Sequence, residues 1–177
     1  MLYKNLSERQ GSSHIRDELQ LFSAYPLVFQ TAKDLRFDIS YFIIGTIRTS
    51  ESYISPIQVI VDDSITQNYP TFSFEVDILD TERFILFSDQ LGESYEYLFD
   101  QEIEIKNYQF IISKNSEYIA REKISDFSAC PTTIVKFENL KKISRRYQSS
   151  IKVQTIEKES NVLELSLLQE DQIKGVI

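Results

Sequence analysis

Few side chains in this sequence are of the types that do chemistry, and their spacing decides what they can do. His14 is the only histidine and sits beside the loop-like Gly11-Ser12-Ser13. A useful general base needs a nucleophile and an orienting partner, so His14 reads as an exposed, incidental residue. Cys130 is the only cysteine, which rules out an intramolecular disulfide. A reactive thiol wants a cationic neighbourhood, and Ser128-Ala129-Cys130-Pro131 offers none, so Cys130 reads as a half-buried small apolar residue. One histidine and one cysteine fall short of the three or four nitrogen and sulfur ligands of a zinc site. Asp77, Asp80 and Glu82 flank a turn and Asp62-Asp63 ends a strand; no EF-hand spacing occurs, and these read as solvated turn carboxylates. The 4 glycines can hardly build a phosphate cradle, and neither G-x-x-x-x-G-K-[ST], G-x-G-x-x-G nor G-x-S-x-G occurs. Two carboxylates on distant strands, paired for glycoside hydrolysis, stay open as an alternative. No catalytic, cofactor-binding or metal-ligating residue is assigned.

Two groupings point to binding instead. Lys141, Lys142, Arg145 and Arg146 form the strongest basic cluster, and the pairs 141/145 and 142/146 share a helix face opposite Leu140, Ile143 and Tyr147. A solvated face is one reading. Contact with an acidic neighbour, another copy of the chain or an anionic glycan, is the other, because the formal charge is -8. Tyr95 and Tyr97 would share a strand face and could stack on a sugar, or simply pack in a core. The acidic balance argues against nucleic acid, whose phosphates demand a cationic surface, and against adsorption to an anionic bilayer.

The 177 residues suit one domain, or one domain with an insertion, and 12 Phe, 10 Tyr and many Ile give a β-leaning composition. Met1-Leu2-Tyr3-Lys4 lacks the apolar stretch of a signal peptide, and no run approaches the roughly 20 apolar residues of a membrane span. Asp17-Glu18-Leu19-Gln20 resembles a capping box, opening a helix with Leu19 and Phe22 on one side. Pro26 suits the first turn of a second helix, with Val28, Ala32 and Leu35 on one face. The period then becomes two. Ile39, Tyr41 and Ile43 form one such set, and Ile57, Val59 and Val61 another. Phe72-Ser73-Phe74-Glu75-Val76-Asp77-Ile78 is the clearest case. Further strands are expected at Phe84 to Phe87, Glu93 to Phe99, Gln101 to Lys106, Gln109 to Ser113 and Thr132 to Phe137. Phe137, Leu140, Ile143 and Tyr147 restore helical spacing. Ile151 to Thr155 and Leu163 to Leu167 read as a hairpin, and Asp171 as the N-cap of a last helix. Helices and strands segregate, so the expected class is α+β: helices at both ends packed on a mixed or antiparallel sheet, with a sandwich-like insertion from Phe72 to Phe137 in one domain of residues 1–177.

Several blocks also resemble a known family. Asp17-Glu18-Leu19-Gln20-Leu21-Phe22-Ser23-Ala24-Tyr25-Pro26-Leu27-Val28, Leu35 to Tyr41, and Ser52-Tyr53-Ile54-Ser55-Pro56-Ile57-Gln58-Val59 are similar to the extracytoplasmic region of Wzc-like bacterial tyrosine autokinases of Bacteroidetes type. These belong with the Wzz-like chain-length determinants. Ile151-Lys152-Val153 and Asn161 to Leu167 resemble the strand pair before that family's second long helix. Asp171-Gln172-Ile173-Lys174-Gly175 resembles its helix start, with Gln172 where the family has proline. The resemblance implies a non-catalytic periplasmic domain, excised from between two inner-membrane helices and followed in the parent by a cytoplasmic tyrosine kinase. It implies a role in polymerising and exporting capsular or exopolysaccharide, and homo-oligomeric assembly. It implies no cofactor. A free-standing glycan- or protein-binding β-sandwich module is the competing expectation.

Overall fold

The computed structural model describes residues 20–62, 65, 70–155 and 162–167. The fold is α+β with antiparallel sheets, and the chain divides into two compact units, Arg36–Leu140 and the paired ends Met1–Leu35 with Lys141–Ile177.

Within Arg36–Leu140 the strands are β1 (Ile39–Ile44), β2 (Thr49–Ser52), β3 (Ile57–Val61), β4 (Phe72–Ile78), β5 (Arg83–Ser88), β6 (Glu93–Leu98), β7 (Glu102–Ile105), β8 (Tyr108–Lys114) and β9 (Thr133–Phe137). Six make one sheet in the order β2-β1-β9-β4-β5-β6, and three make a second in the order β3-β8-β7. Alternation in the sequence explains the layering. Phe72, Phe74, Val76 and Ile78 are buried while Ser73 and Asp77 are exposed. Register then aligns the apolar sets across strands: Phe72 and Ile39 both oppose Phe137, Phe74 opposes Val135, and Ile78 opposes Phe84. The three-stranded sheet supplies Ile57, Val59, Ile103, Phe110 and Ile112 to the same core. Rings lock the two layers together. Phe74 stacks on Phe110 at 5.0 Å, Phe72 on Tyr108 at 4.8 Å, and Phe137 meets Phe110 edge-on at 5.5 Å. Such pairs add about 0.5–1.5 kcal/mol each beyond the area they bury.

Turns carry backbone that few side chains favour. Lys106 at φ 55° and Asn107 join β7 to β8, whose Ile105 and Tyr108 are directly paired. Gly92 at φ 72° ends the turn into β6. Two elements escaped periodicity. The strand β2 is only Thr-Ser-Glu-Ser, held as an edge by pairing with β1. The helix α2 (Ser116–Glu122) buries no residue fully and packs only the half-buried Tyr118 and Ile119 against the core, too short a set to read as a stripe; Asn115 caps it by accepting from the Glu117 and Tyr118 N–H groups.

In the other unit, residues 20–22 are helical and α1 spans Tyr25–Asp34, with Pro26 in its first turn and Val28 and Ala32 buried. Leu35 lies one residue beyond the helix as its C-cap, and Phe22 is 43% exposed where the helical pattern would bury it. The helix α3 is Leu140–Ser150. Phe137, counted above in its stripe, belongs to β9, because Glu138 and Asn139 separate strand from helix. The hairpin forms as the spacing predicts: β10 (Ile151–Thr155) pairs antiparallel with β11 (Leu163–Leu167). Leu165, however, is 57% exposed, while Ile151, Val153, Leu163 and Leu167 on the same face of the hairpin are half-buried. The expected capping box at Asp17 and N-cap at Asp171 lie outside the described residues.

Candidate functional site

The residues singled out for chemistry are spread apart. His14 and Asp63 lie outside the described residues. Cys130 is buried, more deeply than its sequence context predicts, at the end of a short 3-10 turn, Phe127–Ala129. Burial, and then the nearby Asp126 carboxylate, push its thiol above the ordinary cysteine range.

The turn carboxylates are occupied by the turn itself. Asp80 accepts from the backbone N–H groups of Glu82 at 2.7 Å and Arg83 at 2.8 Å, and pairs with the Arg83 guanidinium at 2.7 Å. Those bonds, led by the Glu82 N–H, hold its carboxyl below the usual aspartate range. Arg83 also bonds Glu96 at 2.9 Å, so one guanidinium bridges the β4–β5 turn to β6. Asp77 accepts from the Thr132 hydroxyl at 3.0 Å. Among the described residues no group of three or more His, Cys, Asp or Glu is arranged to hold a metal ion.

Periodicity did not reveal a set of side chains that closes the open edge of the small sheet. The strand β3 pairs only with β8, so its other side presents unpaired backbone groups. Alternate residues direct those groups the same way, and three of them are met by side chains. The Ser55 hydroxyl donates to the Ile57 carbonyl. The Val59 N–H donates to the Tyr41 phenol oxygen at 2.9 Å. Arg36 Nη1 donates to the Val61 carbonyl at 3.1 Å. Arg36, itself at φ 54°, also pairs with Asp38 at 3.2 Å, whose side chain is 2% exposed. Burial raises the Tyr41 hydroxyl above its ordinary range against the opposing pull of the Val59 bond. The available signal was chemical: a tyrosine among buried strand positions must find its hydroxyl a partner.

Tyr95 and Tyr97 do share a face, with ring centroids 6.5 Å apart. It is the core-facing side of the six-stranded sheet, since Tyr97 opposes Phe84 and Tyr95 opposes Leu86. Tyr97 touches the core ring of Phe84, while Tyr95 remains 44% exposed and donates its hydroxyl to Glu93 at 2.8 Å.

The opposite, outer side of that sheet carries an unusual pattern. One cross-strand row reads Glu51, Phe42, Ile134, Glu75, Phe87 and Ser94, and the next pairs Asp77, Ile85 and Glu96. Phe42, Ile134, Ile85 and Phe87 are half-buried there among carboxylates. In the other unit Lys141, Lys142, Arg145 and Arg146 are all exposed on α3, while Ile143 and Ser144 are buried. Arg146 lies 5.7 Å from the Tyr147 ring centre. The helical expectation thus brings the four cations together, and it does so on the exposed side.

Comparison with family models gives no match, and neither does comparison with curated protein sequences.

Proposed function

We propose that this chain is the extracytoplasmic, non-catalytic domain of an inner-membrane polysaccharide co-polymerase whose cytoplasmic part is a tyrosine autokinase. On this reading it regulates the length and export of a capsular or exopolysaccharide through homo-oligomeric assembly. The ordered blocks of resemblance from Asp17 to Gly175 support it, and they extend over both ends of the chain.

The observation that carries the reading is the union of those ends in one compact unit, with the sandwich inserted between them. The Gln148 side-chain amide donates to the Ser23 carbonyl at 3.0 Å, across 125 residues of sequence. A domain threaded between two bilayer helices needs its entry and exit strands held together. The helices of both ends would form that base. The hairpin of β10 and β11, where the family has a strand pair, adds to the argument.

The test is the coding sequence around this chain. An apolar span of about 20 residues is expected on each side, with a nucleotide-binding kinase module after the second. A parent protein without those spans would refute the reading. A sandwich that binds glycan alone, the competing reading for which Tyr95 speaks, predicts heat on titration with oligosaccharide and no such flanks.

A further inference from the structure

We infer that two copies of this chain join along the free edge of β6, antiparallel across a twofold axis at Tyr95, so that the two six-stranded sheets become one. The pairing goes beyond the reading above, since it needs neither membrane flanks nor a polysaccharide.

The sheet edges of the Arg36–Leu140 unit are treated unequally. The strands β2 and β6 end the large sheet, and β3 and β7 end the small one. Both β2 and β7 are only 4 residues long, which gives a partner strand little to hold. The outward groups of β3 are met by Ser55, Tyr41 and Arg36. In contrast β6 has 6 residues in unbroken register with β5, and no proline, lysine or glycine inside it to blunt the edge. All of its residues except Tyr97 are exposed. Its carboxylates are tied back within the chain, Glu93 by the Tyr95 hydroxyl at 2.8 Å and Glu96 by Arg83 at 2.9 Å. The Phe99 N–H donates inward to the Glu82 carbonyl at 2.9 Å, which fixes the alternation along the strand. Tyr97, Tyr95 and Glu93 therefore bond toward β5, while Leu98, Glu96 and Ser94 turn their backbone groups outward.

The ends of this ladder are already closed, and that selects both register and partner. The Leu98 N–H is given to the Gln101 side-chain oxygen at 3.4 Å, and the Gly92 N–H to the Ser88 carbonyl at 3.0 Å. A twofold axis moved toward Glu96 or Tyr97 would call on the Leu98 N–H, and one moved toward Ser94 or Glu93 on the Gly92 N–H. Only an axis at Tyr95 avoids both. Ser94 of each copy then exchanges its two backbone bonds with Glu96 of the other, because these residues flank Tyr95 symmetrically. The strand is thus complementary to itself, which argues for a second copy over a foreign peptide. Tyr95 faces Tyr95 as a non-hydrogen-bonded pair, the arrangement in which opposed side chains approach most closely. That ring is 44% exposed in the single chain, and the partner's ring would cover it. Glu93 stands opposite Tyr97, so no carboxylate is set directly against another. The same surface is used on both copies, so the contact closes at a dimer.

The experiment uses the 177-residue chain in sedimentation equilibrium from about 10 μM to about 1 mM, the range suited to a small, weak interface. The mass should rise from 20.7 kDa toward twice that value. Two chains of formal charge -8 repel, so raising salt from about 0.02 M to about 0.3 M should strengthen the dimer. Ser94→Pro deletes an outward N–H at a position where an edge strand tolerates proline, and should weaken association about tenfold or more. Register is read by cross-linking. Opposed residues of a non-hydrogen-bonded pair have Cα atoms about 4.5 Å apart, within the span of a disulfide. Tyr95→Cys should therefore oxidise to a covalent dimer about tenfold faster or more than Glu93→Cys, which would face Tyr97. Both cysteine variants keep the buried Cys130, so its contribution cancels in the comparison. A chain that stays at 20.7 kDa at about 1 mM overturns the inference, as does association that is lost in high salt. So does a Ser94→Pro protein that associates like the unaltered chain, or a Tyr95→Cys protein that cross-links no faster than Glu93→Cys. Where circular dichroism shows that the proline prevents folding, the cysteine pair decides. None of these outcomes bears on whether the parent has membrane flanks, so the two ideas fail separately.

Discussion

Tyr41→Phe removes one oxygen from the molecule and tests the account of the β3 edge. The lost atom is the acceptor for the Val59 N–H at 2.9 Å, and Val59 is 6% exposed, so water has little access to replace it. A neutral hydrogen bond contributes about 1 kcal/mol net, and a buried donor left unpaired costs about 1–3 kcal/mol. The phenylalanine offsets part of this, because its ring has no hydroxyl to desolvate. A loss of about 1–2 kcal/mol is therefore expected, which at an m-value of about 2 kcal/mol/M moves the urea midpoint down by about 0.5–1 M. A second arm uses pH. The folded state holds the Tyr41 proton more tightly than the unfolded chain does, because burial raises its pKa. Its contribution is thus fully present below about pH 10, the unfolded value, and is lost as pH rises through the folded one. Tyr95 and Tyr118 are raised as well, but both remain in the variant, so the difference between the two proteins isolates Tyr41. Urea titrations at about pH 8, 10 and 11 should show the gap between the proteins narrowing at alkaline pH. A variant with an unchanged midpoint and the same alkaline slope would refute the hydrogen-bonded edge.

Two further substitutions probe the interior of the same unit. Phe74→Ala removes a ring that stacks on Phe110 and meets Phe72 and Phe137, and should cost about 3–5 kcal/mol in urea unfolding; a loss under about 1 kcal/mol would mean the layers are not held there. Arg36→Met leaves the Asp38 carboxylate, 2% exposed, without its guanidinium and should cost about 3 kcal/mol, the low end for a broken buried pair because the arginine is itself 36% exposed. Adding Asp38→Asn should recover part of that loss, and no recovery would show that Arg36 acts through Val61 alone.

How much of this was legible beforehand depended on the kind of interaction. The strand β4 was readable because its two faces meet different solvents, so Phe72, Phe74 and Val76 had to alternate with Ser73, Glu75 and Asp77. The helix α2 was not, because its seven residues turn only Tyr118 and Ile119 toward the core, too few for a stripe, and its start is set by the Asn115 cap. Phe137 was counted in both the strand and the helical stripe, because an apolar residue at the junction satisfies a strand period and a helix period at once; only the strand assignment holds. The carboxylates of the Asp80 turn were identified as turn residues by their spacing, while their bridge to Glu96 needed a strand 13 positions past Arg83 to be folded alongside.

The sequence by itself determined the α+β class, the alternation of the strands, the shared face of Lys141 and Arg145, and the lack of the common nucleotide and zinc motifs. These follow from local periodicity and composition, which each segment carries alone. Only the tertiary structure decided that Tyr41, Arg36 and Ser55 close the free edge of β3, that Tyr95 stands open on a core-facing strand, and that Phe42, Ile134 and Phe87 line up among carboxylates. Those relations join residues far apart in the chain, and they exist only once strand order and register have been chosen.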